Sequence, residues 1–468
     1  LSDPASTFDV AVLGSGPGGY VAAIRGSQLG LRVALVEPYS RFGGTCLHWG
    51  CVPTKALVES AGLYGRAREG KEFGVLCDDV RLDLALVRAR KDRLIKKLSA
   101  GVGFLLKKNK VETFRGTGRL GARGVVEVRG EEAREIRARN IIIATGSVNK
   151  DIPGMEPDGR YILTHKEILD LDRVPESLLV VGAGAIGIEF ASIFSRFGAR
   201  VTVVEMLPRI LPLEDPEISG ELRKILAKRG IRILTGARLE KLEVREERVH
   251  AEIVDSEGRR EGIEAQKGLM AVGRTPATGD LGLERAGVKT ERGFIPVDGR
   301  MRTGVEGVYA IGDVVPTAAL AHLASREGMA AMESIAGGRV PPINYDLVPN
   351  CTFCEPEVAS VGLTEKEAAG RGFDVIAARF PFAGVSKGTI LGDSAGFVKI
   401  VGEKEHGRIL GVHMIGPRVT ELISEGTAVI GLEGRAADLS ALIHPHPTLS
   451  EGLMEAAHAL YAGAAIHI

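Results

Sequence analysis

Apolar and polar residues fall in blocks along this chain, and one block pattern occurs twice. Phe8 to Leu13 (FDVAVL) is a short β-rich apolar run, the pattern of a strand buried on both faces. Gly14, Gly16 and Gly19 follow, then a helix-like stretch through Leu29, then a second strand, Arg32 to Val36, ending on Glu37. The same order returns with Leu178 to Val181, then Gly182, Gly184 and Gly187, a helical stretch to Phe197, and Val201 to Val204 ending on Glu205. First glycine and acid stand 23 residues apart in both copies, Gly14 to Glu37 and Gly182 to Glu205.

Between the copies the pattern reads as short β segments from Gly118 onward, including Val125 to Val128, and a strand Asn140 to Ala144 before Thr145-Gly146-Ser147. Beyond the second copy, Gly268 to Arg274 and Gly307 to Asp313 are apolar strands ending in glycine plus a charged residue. A Pro-rich stretch from Val340 to Pro349 reads as a linker. After it, strands at Val358 to Val361, Phe397 to Val401 and Ile409 to Ile415 alternate with helices at Thr364 to Arg371 and Val419 to Ile430, which suits a separate α+β domain.

Composition narrows the function classes. At 468 residues, with 44% hydrophobic and 26% charged, the chain has the balance of a soluble globular protein of about three domains. The formal net charge is zero, with no basic patch for nucleic acid or a membrane surface. No apolar run approaches the length of a transmembrane helix, and the N-terminus lacks the pattern of a secretory signal. Five cysteines, an odd and sparse set, argue for a reducing, cytoplasmic setting in which a paired cysteine is catalytic rather than structural. No metal site is expected.

The doubled unit has the chemistry of a dinucleotide site. Its glycines allow a tight turn and close approach of a pyrophosphate, which the helix N-terminus stabilises through free N–H groups and its dipole. The acid accepts hydrogen bonds from an adenosine ribose 2′-OH. Glu205 therefore points to NAD rather than NADP, since a 2′-phosphate calls for arginines and Met206-Leu207-Pro208-Arg209 supplies one, several positions on. The first unit runs into Gly43-Gly44-Thr45-Cys46-Leu47-His48-Trp49-Gly50-Cys51-Val52-Pro53-Thr54-Lys55. Two cysteines four residues apart beside a dinucleotide site suggest a redox dithiol. Nicotinamide moves hydride and a disulfide is reduced by thiolate chemistry, so a flavin is the natural intermediary. In an ideal helix, residues five apart lie about 7.5 Å apart along the axis. A disulfide tolerates roughly 7 Å between Cα atoms. Either a distorted helix around Gly50 or a strained bond is expected.

With these motifs the chain resembles the pyridine-nucleotide-disulfide oxidoreductase family over essentially its whole length. The marks are GSGPGG at 14 to 19, GGTCLHWGCVPTK at 43 to 55, ATG at 144 to 146, GAGAIG at 182 to 187, YAIGD at 309 to 313 and HPHPTLSE at 444 to 451. Within the family it is most similar to the members that reoxidise lipoyl groups. The resemblance implies FAD in the first unit, held by Gly14, Gly16, Gly19, Glu37, Gly44, Thr45, Gly118, Thr145 and Gly146. It implies Asp313 on the ribityl chain, Ala321 and His322 by the ring, and Lys55 near flavin N5, paired with Glu189. NAD would be held by Gly182, Gly184, Gly187, Glu205 and Gly273. Cys46 would be the interchange thiol and Cys51 the charge-transfer thiol. His446, oriented by Glu451, would be the acid/base, acting across a homodimer interface on the partner subunit's Cys46; His444 is read as structural.

The chain departs from the family text in two places. His48 stands where Asn is usual, and Trp49, the only tryptophan, where an aliphatic residue is usual; both are expected to pack. Phe353 and Cys354 replace a more usual Tyr-Thr pair, creating a CxxC with Cys351 on a predicted strand, where the side chains would face opposite ways and be structural. Cys77 is expected to be inert.

The expected fold class is α/β: two Rossmann-like dinucleotide-binding domains plus a C-terminal α+β interface (dimerisation) domain. The expected boundaries are 1–148 for FAD, 149–278 for NAD, 279–346 completing the FAD domain and 347–468 for the interface. The expected reaction is oxidation of protein-bound dihydrolipoyl groups by NAD+, the partners being lipoyl domains of a 2-oxoacid dehydrogenase or glycine cleavage complex. Glutathione-reductase-like chemistry is opposed by Glu205. Mercuric-reductase-like chemistry is opposed by a terminus, Ala464 to Ile468, without cysteine. A non-catalytic complex subunit would have no need to keep Cys46, Cys51, His446 and Glu451 together.

Overall fold

The computed structural model describes residues 7–468. They divide into two compact units, one made of 7–56, 86–150 and 273–343 and the other of 57–85, 151–272 and 344–468.

In the first unit the strands Val33–Glu37, Thr7–Leu13 and Arg134–Ile143 run parallel in that order, extended at one side by Glu112–Arg115. Val308–Ala310 joins Arg134–Ile143 in parallel, and Val125–Arg129 and Thr117–Leu120 continue the sheet antiparallel. Side chains alternate between two apolar clusters. Ala11, Leu13, Ala34, Val36, Ile141 and Ile143 fill one face, and Val10, Val12, Val33, Leu35 and Ile142 the other. The helices Pro17–Gln28 and Ala321–Ile335 lie together beside this sheet. Their contact depends on glycine: a Cβ on Gly328 would stand 2.6 Å from the Gly18 carbonyl oxygen.

The second unit holds a parallel sheet ordered Arg232–Thr235, Arg200–Glu205, Ser177–Val181, Lys267–Met270 and Ile162–Leu163. A three-stranded antiparallel meander, Arg238–Arg245, Arg248–Val254 and Arg260–Ala265, packs against it. The helix Pro216–Lys228 begins on an Asp215 cap whose carboxylate accepts from Glu217 N–H at 2.9 Å, with proline at its first turn. The C-terminal part is an antiparallel sheet ordered Asn350–Thr352, Glu357–Gly362, Ile409–Gly416, Phe397–Glu403 and Val375–Pro381. Its core is closed by the helices Val419–Gly431, Ala436–Ala441 and Glu451–Ala462. The molecule is thus α/β, with two glycine-turn parallel sheets and a C-terminal α+β part.

Some expectations shift. The strand expected to carry both Cys351 and Cys354 ends at Thr352. Cys354 lies past it in a bend and is buried, donating to the Thr352 and Pro356 carbonyls. The Pro-rich stretch contains a short helical turn, Tyr345–Leu347. Two long helices, Cys51–Arg68 and Leu84–Lys108, stand where no element was expected.

Candidate active site

The two glycine turns have the same local structure. Gly14 and Gly182 each sit at φ +101°, where a Cβ would meet a carbonyl oxygen, Ala144 at 2.5 Å and Ala271 at 2.4 Å. A Cβ on Gly19 or Gly187 would stand 1.9 Å from the carbonyl oxygen of Gly14 or Gly182, so neither position tolerates a side chain. Gly16 and Gly184, by contrast, face open space and carry no capping side chain for the helices they begin. Glu37 accepts from Ser15 N–H at 2.8 Å and Tyr39 N–H at 3.0 Å. Glu205 accepts from Ala183 N–H at 2.7 Å and Leu207 N–H at 2.8 Å. Each buried acid therefore fixes its own glycine turn and the chain just beyond itself. An open middle glycine, uncapped helix N–H groups and a fixed acid suit a dinucleotide pyrophosphate and ribose in both places.

Gly43 and Gly44 bring the dithiol segment to the first cradle. Gly43 N–H donates to the Ser15 carbonyl at 3.0 Å, and Gly44, at φ +60°, would press a Cβ to 2.6 Å from the Gly16 Cα. The helix Gly44–His48 then stops at Trp49, whose N–H reaches back to the Thr45 carbonyl at 2.9 Å, and a new helix begins at Cys51. The expected distortion around Gly50 is present. A Cβ there would lie 3.1 Å from the Thr45 carbonyl oxygen and 3.2 Å from the Cys46 Cα. Cys46 is half-buried and Cys51 exposed. A hydrogen bond to the Cys51 side chain, helped by burial, pushes the Cys46 thiol well up, while the Lys55 charge acts against this.

The two sulfurs have different neighbours. Tyr20, beside Cys46, is pushed upward chiefly by its burial. Arg274 is pulled down by its burial, partly offset by Asp313 and Cys51. Arg274 Nε donates to Ser147 Oγ at 2.7 Å, and Ser147 Oγ donates to Asp313. Glu327, fully buried, accepts from Gly312 N–H at 2.7 Å and Thr317 Oγ at 2.9 Å, holding the turn that presents Asp313. Ser147, Arg274 and Glu327 were not among the expected site residues. The one sequence signal was the position of Ser147 and Arg274 at the ends of glycine-terminated strands.

Other expected residues are placed as follows. Thr145 donates to the Ala277 carbonyl at 2.8 Å, and Gly146 sits at φ +74°. Gly118 is packed under Leu13, so its missing side chain serves the core. Gly273, at φ +112°, accepts from Lys150 N–H at 3.1 Å. Ala321 and His322 open the helix Ala321–Ile335. In the second unit Glu189 is buried and accepts from Phe353 N–H at 2.9 Å. His48 donates to the Phe42 carbonyl at 3.1 Å, burial pulls its ring below the usual histidine range, and it packs at a tilt of 54° against Trp49. Cys77 is exposed.

His446 and Glu451 meet in the second unit. The His446 Nδ1 lies 2.8 Å from Glu451 Oε1, and Thr448 N–H donates to Glu451 Oε2 at 2.8 Å. Burial raises the Glu451 carboxyl, but the Thr448 N–H and the His446 ring outweigh it and hold it below the ordinary range. The ring of His446 is otherwise exposed, at 68% of its side chain. Both nitrogens of His444 are held, one by the Leu442 carbonyl at 3.1 Å and one by Glu425 at 2.8 Å. A second His–Glu contact, His467 to Glu455 at 2.6 Å, was not expected.

Two dinucleotide cradles, one of them continuous with a hydrogen-bonded dithiol, define an oxidoreductase that couples thiol and dinucleotide redox chemistry. Residues 8–328 match the pyridine nucleotide-disulphide oxidoreductase family, and residues 348–457 match that family's dimerisation domain. The chain is 44% identical to a dihydrolipoyl dehydrogenase of Rhizobium etli over 97% of this chain and 98% of the relative. It is also 44% identical to one of Bacillus subtilis, over 99% and 100%. Among solved structures it resembles LpdA from Mycobacterium tuberculosis with a TM-score of 0.90 and 28% identity, over 96% and 99% of the chains. It resembles the HOCl-induced flavoprotein disulfide reductase RclA from Escherichia coli with a TM-score of 0.85, also at 28% identity, over 96% and 99%. The chain belongs to the pyridine nucleotide-disulphide oxidoreductase family.

Proposed function

We propose that this enzyme oxidises a protein-bound dihydrolipoyl group to lipoyl while reducing NAD+ to NADH, as the dehydrogenase component of a 2-oxoacid dehydrogenase or glycine cleavage complex. The observation that carries the proposal is the Cys46–Cys51 pair on a turn built directly onto the first dinucleotide cradle. The full-length relatives named dihydrolipoyl dehydrogenase supply the substrate class. They give no support to a glutathione- or mercuric-reductase-like activity or to a non-catalytic subunit.

The first cradle, with Gly44, Thr45, Thr145, Gly146 and Asp313, would hold FAD, and the second, with Gly273, would hold NAD. In this reading 1–148 and 279–346 serve FAD, 149–278 serves NAD, and 347–468 forms the interface of a homodimer. FAD, when bound, supplies the two-electron acceptor that links thiolate to nicotinamide. Cys46 exchanges with the substrate sulfurs, and Cys51 is assigned as the thiol that passes electrons on toward the flavin. His446 takes and returns the substrate proton on the partner subunit's Cys46. Glu451 fixes its tautomer by occupying Nδ1, which leaves Nε2 for the transfer. Lys55 and Glu189 are assigned to the flavin side, and the exposed Leu442 and Ile443 beside His444 suit a face covered by a second copy. A cytoplasmic location goes with this reading; among the described residues no helix is long and apolar enough to cross a membrane.

Anaerobic titration of the yellow protein with dihydrolipoamide tests the proposal. A long-wavelength thiolate-to-flavin band should rise, and Cys51→Ser should abolish it. Colourless protein, or a band that persists in Cys51→Ser, would overturn the assignment.

A further inference from the structure

The break between the two cysteines is held by aromatic rings rather than by regular structure. Trp49 ends one helix with its N–H on the Thr45 carbonyl, and the next helix opens with Thr54 N–H on the Gly50 carbonyl. The Trp49 ring meets Tyr39 edge-on, with centroids 4.9 Å apart and planes at 66°, and lies 5.4 Å from the His48 ring. Tyr39 is itself fixed, because its N–H donates to Glu37 Oε1 at 3.0 Å. Glu37 is the acid of the first cradle, so Tyr39 stands at its ribose end. His48 ties the far side of the same turn to Phe42, whose carbonyl also accepts from Ser99 at 2.9 Å.

We propose that Tyr39 and Trp49 form an aromatic brace that holds the Cys46–Cys51 turn closed against the ribose end of the first cradle, making Trp49 a positioning residue for the dithiol. The proposal rests on reading that cradle as the FAD site. A disulfide forms only when the two Cα atoms are held within reach. A braced turn keeps them there in the dithiol form, so less chain order is lost on closing the bond. Releasing the brace should favour the dithiol over the disulfide. Edge-on aromatic pairs contribute enough to matter, roughly three- to tenfold in an equilibrium.

The experiment equilibrates the flavin-loaded enzyme with dithiothreitol buffers and counts free thiols by alkylation. In this exchange, protein dithiol plus oxidised dithiothreitol gives protein disulfide plus reduced dithiothreitol. Tyr39→Ala and Trp49→Leu should each move the balance about three- to tenfold toward the dithiol, and the double variant should move it no further. Trp49→Phe, which keeps an aromatic edge, should stay near the parent and remains informative if Trp49→Leu does not fold. Because Trp49 is the chain's only tryptophan, its emission should shift to the red in Tyr39→Ala. Unmoved equilibria, shifts that add in the double variant, or a Trp49→Phe protein that behaves like Trp49→Leu would overturn the brace. Wild-type protein without flavin absorbance would instead overturn the cradle reading, and absorbance shows this before any thiol is counted.

Discussion

Glu214 shows how one side chain can make stability depend on pH. It is 3% exposed, Asn350 donates to its Oε1 at 2.7 Å, and among the described residues Oε2 has no hydrogen-bond partner. Burial pushes its carboxyl up to about 7, with Ser360 and Asn350 opposing the shift and Asp215 adding to it. Between about pH 4.5 and about pH 7 the folded protein therefore holds a proton that the unfolded chain has released. Stability is full below this window and falls as pH rises through it, by up to about 3 kcal/mol at 1.36 kcal/mol per unit. Glu214→Gln should raise the thermal midpoint at pH 8 and leave it unchanged near pH 4.5. An equal gain at both values would refute the linkage.

At the scale of elements, the two strand–glycine–helix units test each other. Gly187 has no room for a methyl group, and forcing one in costs about 1 to 3 kcal/mol or displaces the turn. Gly187→Ala should weaken NADH binding at least about tenfold by fluorescence titration, while flavin absorbance stays at the parent level. Loss of flavin as well would count against separate cradles. These units were legible in the sequence because glycine spacing and a terminal acid are local requirements of the turn. The Ser147–Arg274–Asp313 network and Glu327 were not, since they join positions far apart in the chain and no local pattern ties an arginine to a serine 127 residues away. The helix Leu84–Lys108 is illegible in the sequence for another reason. Leu86, Leu98 and Phe104 are exposed among its many cations, which blurs the helical period.

Across the second unit, a charge cluster around a buried lysine joins the parallel-sheet part to the C-terminal part. Lys399 Nζ contacts Asp215 at 3.0 Å, Glu217 at 2.7 Å and Glu365 at 2.5 Å, with Lys399 and Asp215 side chains 2% and 1% exposed. Burial pulls the lysine down, and the three carboxylates more than reverse this. Lys399→Met would leave Asp215 charged and buried, costing roughly 3 to 5 kcal/mol. Adding Asp215→Asn, which keeps the helix cap, should restore most of the lost thermal midpoint. If the double variant melts as low as Lys399→Met, the charge argument fails. The order of segments also matters during synthesis. Ile141 takes its sheet partner from Val308, 167 residues later, and nearly the whole parallel-sheet part of the second unit is translated between them. At ribosomal speeds of about 5 to 20 residues per second, that strand edge waits on the order of ten seconds or more before it is closed. The nascent chain thus carries an open Ile-rich edge through much of its translation, and chaperone demand should peak there rather than after release.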